Sequence, residues 1–434
     1  MREEEILNVL ADWNFWGKGI DTGIERRAYV NDVLRLLKSS NIVVELGVRR
    51  CGKSYIARQA VKELIASGMD KRNTLIINLN DERFEKGEQL LSDIYAAYKK
   101  HVASGEKIVL VVDEPQEING WERFVRGVSE RGEAKLIVTG SSSALLSSEF
   151  STLLSGRHIP MEIMPLSFGE FLGFNGVAAN TKLEMAKNFL SIEKLLDEYI
   201  LYGGFPDVVR AESKLELLGS YFDTILIKDV AARYKIRALD KLKTLAKFYV
   251  TNISNSITYN SIAKFTRIPV KTVERLSTNI ESSYVLFFVK RFSFSTKERE
   301  NSPRKVYCID GGIAVAEGFN VVQRKGAMVE NLVALELRRR GKEFYYWKDS
   351  ATGKEVDFVT MEKKGIMLVQ VADAIENPKT LEREVGSLEA AARKIKGAKS
   401  FVIILRNLPN ENIRKEISSK GIEVKGLLSF LMEQ

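Results

Sequence analysis

The chain has 434 residues, more than one ordinary core, so two or three domains are expected. With 45% apolar and 28% charged residues it has the balance of a soluble globular protein; its longest apolar runs, YVLFFV (284–289) and FVIIL (401–405), are too short to span a membrane, and no membrane partner is expected. The net charge is +9, and two cysteines (Cys51, Cys308) and two histidines (His101, His158) are too few for a disulfide framework, a zinc site or histidine-based catalysis. The acidic start, MREEEILNVL, lacks a signal-peptide pattern, so a reducing cytoplasm is the expected location.

In chain order, the first half alternates short, β-branched, wholly apolar runs with amphipathic stretches. The runs are NIVVEL (41–46), TLIINL (74–79), KIVLVVD (107–113), KLIVTG (135–140) and HIPMEIM (158–164). This alternation predicts a parallel α/β sheet covered on both faces. From about 166 to 230 the pattern turns helical and breaks at Gly203 and Gly204. Residues 261–266 and 270–281 read as two helices joined at RIP, followed by a strand and a polar hairpin, the order of a winged helix-turn-helix. From about 326 a helix, three strands, a helix, a strand and a helix predict a small mixed α/β domain.

The segment GVRRCGKSYIARQ (47–59) sets Gly47, Gly52, Lys53 and Ser54 in the spacing G-x-x-x-x-G-K-S, directly after an apolar strand and opening a helix. That context is what a phosphate cradle requires. Backbone N–H groups of Gly47, Arg50, Cys51, Gly52 and Tyr55 are candidates to face a nucleotide, aided by the helix dipole. Lys53 would reach the β- and γ-phosphates of ATP, and Ser54 would ligate Mg²⁺. IVLVVDE supplies the second acidic element: Asp113 for the Mg²⁺ shell and Glu114 as general base toward water. After the next strand, Ser141 suits either a γ-phosphate sensor or a helix N-cap. Arg157, before the following strand, suits either an arginine finger, in cis or from a neighbour in a homo-oligomer, or a surface arginine.

Residues 235–305 carry fifteen Lys and Arg against five Asp and Glu, a local excess of +10. Such clustering fits a DNA footprint or a solvated basic face. In the first case the helix VKTVERLSTNI reads the duplex, with Lys271 and Arg275 one turn apart on one face.

GVRRCGKSYIARQ, VLVVDEPQEINGWERFVR, IVTGSSSALLSSEFSTLLSGRHIPMEIMPLSFGEFL and YGGFPDVV together resemble a group of prokaryotic, especially archaeal, AAA+-type P-loop ATPases. The resemblance covers nearly the whole chain. It implies an ATPase core (1–165), a helical lid (166–234), a winged helix (235–320) and a restriction-endonuclease-like α/β domain (321–434). It also implies ATP hydrolysis at Lys53, Ser54, Asp113 and Glu114. A restriction-endonuclease-like site needs a helix Glu, a strand Asp and E-x-K on the next strand. Glu330 and Asp357 fit, but Gln370 and Ala372 stand where Glu and Lys belong. A degenerate site is expected, with two carboxylates and no lysine, unless Lys348 or Lys354 migrates in. The function expected is a Mg²⁺-dependent ATPase acting on DNA. The alternatives are a nucleotide-dependent switch that binds a protein partner, and an ATP-regulated nuclease.

Overall fold

A computed structural model describes residues 1–141, 158–363 and 365–433. The chain forms two compact units: Met1–Met164 with Ser282–Tyr284, and Pro165–Glu281 with Val285–Gln434. The first boundary falls between Met164 and Pro165. The three segments expected after it share the second unit.

The first unit is built on a five-stranded parallel sheet: β1 (Ile42–Leu46), β2 (Thr74–Asn78), β3 (Ile108–Asp113), β4 (Ala134–Gly140) and β5 (His158–Glu162), in the order β2-β3-β4-β1-β5. Every residue of β1, β2 and β3 is buried. Their largely apolar runs fit strands covered by helices on both faces. The helix Trp121–Glu130 is representative: Trp121, Val125 and Val128 repeat at helical spacing and are buried, while its charged residues face out. The parallel register sets the carboxyl ends of β1, β3 and β4 side by side: Asp113 pairs with Thr139, and Leu46 with Gly140. Ligands of open α/β sheets collect at that edge.

The second unit begins with helices. Ser167 opens Phe168–Phe174 with a reciprocal capping box to Glu170. The Gly203–Gly204 break has a packing cause. At φ +72° a Cβ on Gly203 would lie 1.8 Å from Asp310 Oδ1, and the Gly204 N–H donates to Asp310 Oδ2 at 2.7 Å. Asp310 also caps the helix Gly311–Glu317 by accepting from the Gly312 N–H at 2.9 Å. Burial pushes its carboxyl up to about 7, against three backbone N–H groups that favour the charged form.

The segment expected to carry two helices and a hairpin does so. Tyr259–Thr266 and Val270–Glu281 are helices, and a three-stranded antiparallel sheet follows the order β6-β8-β7, with β6 (Ser256–Ile257), β7 (Leu286–Lys290) and β8 (Arg304–Cys308). One difference is local. The tip between β7 and β8 is not a plain polar loop but holds a short helix, Thr296–Asn301, capped by Ser295. The last sheet, mixed, runs β13-β12-β11-β10-β9, with β9 (Phe344–Lys348), β10 (Glu355–Glu362), β11 (Gly365–Ala374), β12 (Ala398–Asn407) and β13 (Glu423–Gly426). Its core includes Val356, Leu368, Ile403 and Leu405, packed under the helix Pro378–Lys394 through Leu381, Val385 and Leu388. Among the described residues no helix is long and apolar enough to cross a membrane.

Candidate active site

Two clusters of charged side chains stand out, one in each unit. The first lies at the carboxyl edge of the parallel sheet. Gly47 has φ +151°, and a Cβ there would sit 2.1 Å from the Ile163 carbonyl oxygen, so only glycine fits. Arg50 (φ +68°) and Gly52 (φ +101°) are also left-handed, which curls the loop before the helix Lys53–Ala66 begins. The Cys51 side chain is fully buried, and burial pushes its thiol up, so only its backbone is placed to serve a ligand. Tyr55 is 40% exposed.

Lys53 is 5% exposed and donates to the carbonyls of Gly47 (3.0 Å) and Val48 (3.1 Å), with Glu114 Oε1 at 4.0 Å. Ser54 Oγ donates to Asp113 Oδ1 at 2.9 Å, and Thr139 Oγ1 contacts the same oxygen. A hydroxyl and a carboxylate oxygen side by side form the hard-oxygen donor set that suits Mg²⁺. Glu114 follows directly in a left-handed conformation (φ 56°, ψ 52°) that non-glycine residues rarely hold. Gln116 and Ser141, the latter at 3.4 Å, contact its carboxylate. Burial raises the Glu114 carboxyl, and Lys53 opposes the shift. The structure thus brings together Gly47, Lys53, Ser54, Asp113, Glu114 and Ser141. Arg157 lies outside the described residues.

Three residues of this site were missed in the sequence. Arg26 is 2% exposed and braces the loop, donating to the carbonyls of Cys51 (2.8 Å) and Met164 (3.0 Å). Glu45, on β1, is wholly buried with neither oxygen hydrogen-bonded; burial raises its carboxyl well above the ordinary range, reinforced by Asp113. Gln116 holds the general-base candidate. A charged residue inside an apolar strand run was the available signal for Glu45. Arg26 and Gln116 carried none.

The second cluster holds Glu330, Asp357 and Gln370, which line one open pocket of about 730 Å³ with Glu355, Ala372 and Glu384. The expectation of two carboxylates without a lysine is corrected here. Lys305, on β8, is 1% exposed, and its Nζ lies 2.9 Å from Glu330 Oε1, 2.7 Å from Glu355 Oε1 and 3.0 Å from Asp357 Oδ1. The lysine comes from a strand 25 and 52 residues earlier in the chain, a separation that no local spacing reveals. Lys348 and Lys354 do not take that place: Lys348 Nζ donates to Glu355 Oε2 (2.9 Å) and Lys354 Nζ to the Gly386 carbonyl (3.1 Å). Burial pulls the Lys305 ammonium down, but Glu330 and Asp357 outweigh it and hold the ammonium well above its usual range. Burial pushes Glu330 up to about 8, with Asp357 adding to the rise and Lys305 opposing it. The Tyr307 hydroxyl donates to Glu330 Oε1 at 2.7 Å.

Lys271 and Arg275 are exposed on one face of Val270–Glu281, whose other face buries Val273, Leu276 and Ile280. Much of the surrounding basic excess is answered internally: Lys243 pairs with Asp223, Lys247 with Glu317, Lys290 with Glu300, and Lys305 is buried.

Comparison with known proteins follows the same division. Residues 39–172 match an AAA domain. Residues 193–321 and 325–417 match two domains of unknown function, DUF8612 and DUF4143. An uncharacterized protein of Haemophilus influenzae is 30% identical over 360 residues, 80% of this chain and 86% of that one. An uncharacterized protein of Methanocaldococcus jannaschii is 33% identical over 383 residues, 84% of this chain and 82% of that one. Among solved structures, the Walker-type ATPase of Pyrococcus abyssi covers 67% of this chain and 95% of its own, at 15% identity and a TM-score of 0.45.

Proposed function

This chain belongs to the family of AAA-domain proteins that includes those Haemophilus influenzae and Methanocaldococcus jannaschii relatives, and from that premise we propose that it is a Mg²⁺-dependent ATPase that acts on DNA. The observation that carries the hydrolytic part is the convergence of Lys53, Ser54, Asp113 and Glu114 at one sheet edge. Lys53 exchanges its bonds to the Gly47 and Val48 carbonyls for bonds to phosphate oxygens, a charge-assisted and stronger contact. Ser54 and Asp113 are the residues that hold Mg²⁺, which when bound supplies positive charge against the phosphates. Glu114, oriented by Gln116 and Ser141, accepts the proton of the attacking water. Its raised carboxyl must lose a proton before it acts, so turnover rises with pH through a point above the ordinary carboxylate range.

DNA contact is assigned to the segment 235–320, read as a winged helix, with Lys271 and Arg275 on the exposed face of the second helix. The order of a helix, β6, two helices, β7 and β8 supports this reading. The C-terminal domain is read as restriction-endonuclease-like in layout and without cleavage chemistry, because the three protons of Lys305 face three carboxylates rather than a phosphate.

A second reading, a nucleotide-dependent switch on a protein partner, is favoured by one observation: Phe265 is 73% and Phe294 70% exposed on this same segment. Two measurements test the proposal. Glu114→Gln should retain ATP binding and lose turnover; unchanged turnover removes the hydrolytic assignment. Reversing Lys271 and Arg275 together should weaken duplex binding and flatten the dependence of log affinity on log salt. DNA affinity untouched by the reversal favours the switch.

A further inference from the structure

The pocket of the second unit has chemistry that ATP turnover leaves unused. Three of its lining carboxylates, Glu330, Glu355 and Asp357, are answered by the buried Lys305. The lining also holds Asp373, Glu376 and Glu384, with Lys354 and Arg383 as its cationic side chains. Both cations are engaged: Lys354 donates to the Gly386 carbonyl (3.1 Å), and Arg383 Nε to Glu384 Oε1 (3.0 Å). Asp373 and Glu376 have no ion-pair partner among the described residues, so this part of the lining is left acidic.

A second observation is independent of charge. Gln370 lines the pocket and is 7% exposed; its Nε2 is spent on Glu384 Oε2 at 2.7 Å, and its Oε1 accepts no hydrogen bond. Buried acceptors are nearly always paired, so this one calls for a donor from outside the chain. The donor is not a bare metal ion. Among the described residues no three His, Cys, Asp or Glu converge as a metal-holding group, and the point where carboxylates do converge is filled by the Lys305 ammonium. What the walls want is a cation that is extended, rich in N–H donors and able to follow carboxylates spread along about 730 Å³ of open space.

We propose that this pocket binds an alkylammonium ligand, whose N–H groups pair with Asp373 and Glu376 and supply the donor missing at Gln370 Oε1. Lysine side chains of a basic protein segment and free polyamines share this chemistry. The test uses the full chain at low salt, titrated with a labelled tetralysine peptide and, separately, with spermidine. Asp373→Asn with Glu376→Gln should weaken binding at least about tenfold, whereas Glu411→Gln with Glu416→Gln, an exposed pair on the helix Glu411–Ser419, should leave it unchanged. Gln370→Met keeps net charge and volume and should weaken binding several-fold, which general charge attraction cannot do. Tetralysine binding alone assigns the site to a protein segment, and spermidine binding assigns it to free polyamines. No binding of either probe, equal loss in the control pair, or full affinity in Gln370→Met overturns the proposal.

Discussion

Among the described residues two lysines are buried, and they are buried in opposite company. Lys53 has two backbone carbonyls as partners and its nearest carboxylate oxygen at 4.0 Å. Lys305 has three carboxylates within 3.0 Å. A buried charge is costly unless it is paired, and the two sites meet that cost differently. The parallel-sheet site answers its cation with neutral backbone oxygens. The mixed-sheet site supplies the anions itself. The same residue type thus sits among backbone carbonyls in one unit and in an ionic joint in the other, and only the partners distinguish them.

The largest expected effect separates the two lysines by activity. Lys53→Ala should lower ATP turnover about 10²- to 10³-fold, the usual result of removing one contact to developing phosphate charge. Lys305→Ala, assayed where the protein remains folded, should leave turnover within about twofold. Comparable losses in both variants would erase the distinction drawn here.

Stability should show the reverse order. Lys305→Ala leaves the buried Glu330 and Asp357 without their cation, while Glu355 keeps Lys348, and should cost about 3–5 kcal/mol in chemical denaturation. A charge-free version, Lys305→Met with Glu330→Gln and Asp357→Asn, should recover much of it, because uncharged groups need no counter-ion. Lys53→Ala should cost much less than Lys305→Ala, since it removes a cation instead of stranding anions.

A smaller effect concerns pH. Glu330 is held up at about 8 and Asp310 at about 7, both above their unfolded values. A raised carboxyl binds its proton more tightly in the folded state, so its contribution is complete below about pH 4 and is lost as pH rises through 7 to 8. The melting temperature should therefore fall between pH 5 and pH 8.5, and Asp310→Asn should flatten part of that slope. A melting temperature that climbs over this range would contradict both burial shifts. The smallest expected signal is none: with Mg²⁺ or Mn²⁺ the protein should not cut single-stranded, duplex or branched DNA, and Asp357→Ala should match wild type. Cleavage that disappears in Asp357→Ala would show that the carboxylates hold a metal in spite of Lys305.

The strand, the turned loop and the helix that opens at Lys53 were legible from sequence because their parts are contiguous. Strand, glycines, Lys53 and Ser54 lie within one short stretch, and hydrogen bonding within a loop depends on spacing alone. Asp113 and Glu114 were legible for a related reason: wholly apolar β-branched runs announce buried parallel strands, and the residue ending such a run falls at the ligand edge. The helix pair expected at 261–266 and 270–281 was readable in sequence, as was the shared face of Lys271 and Arg275; the structure starts the first helix two residues earlier, at Tyr259. Tertiary structure alone decided the rest. Arg26 reaches the Cys51 carbonyl across 25 residues, and Lys305 reaches Asp357 across 52. No periodicity encodes such meetings, because a long flexible side chain on a strand or loop end finds its partner only after separate elements have packed. The gap left by Ala372 read as a missing cation, yet the fold fills it from β8. Coulomb attraction in a buried site depends on distance in space, and distance along the chain does not limit it.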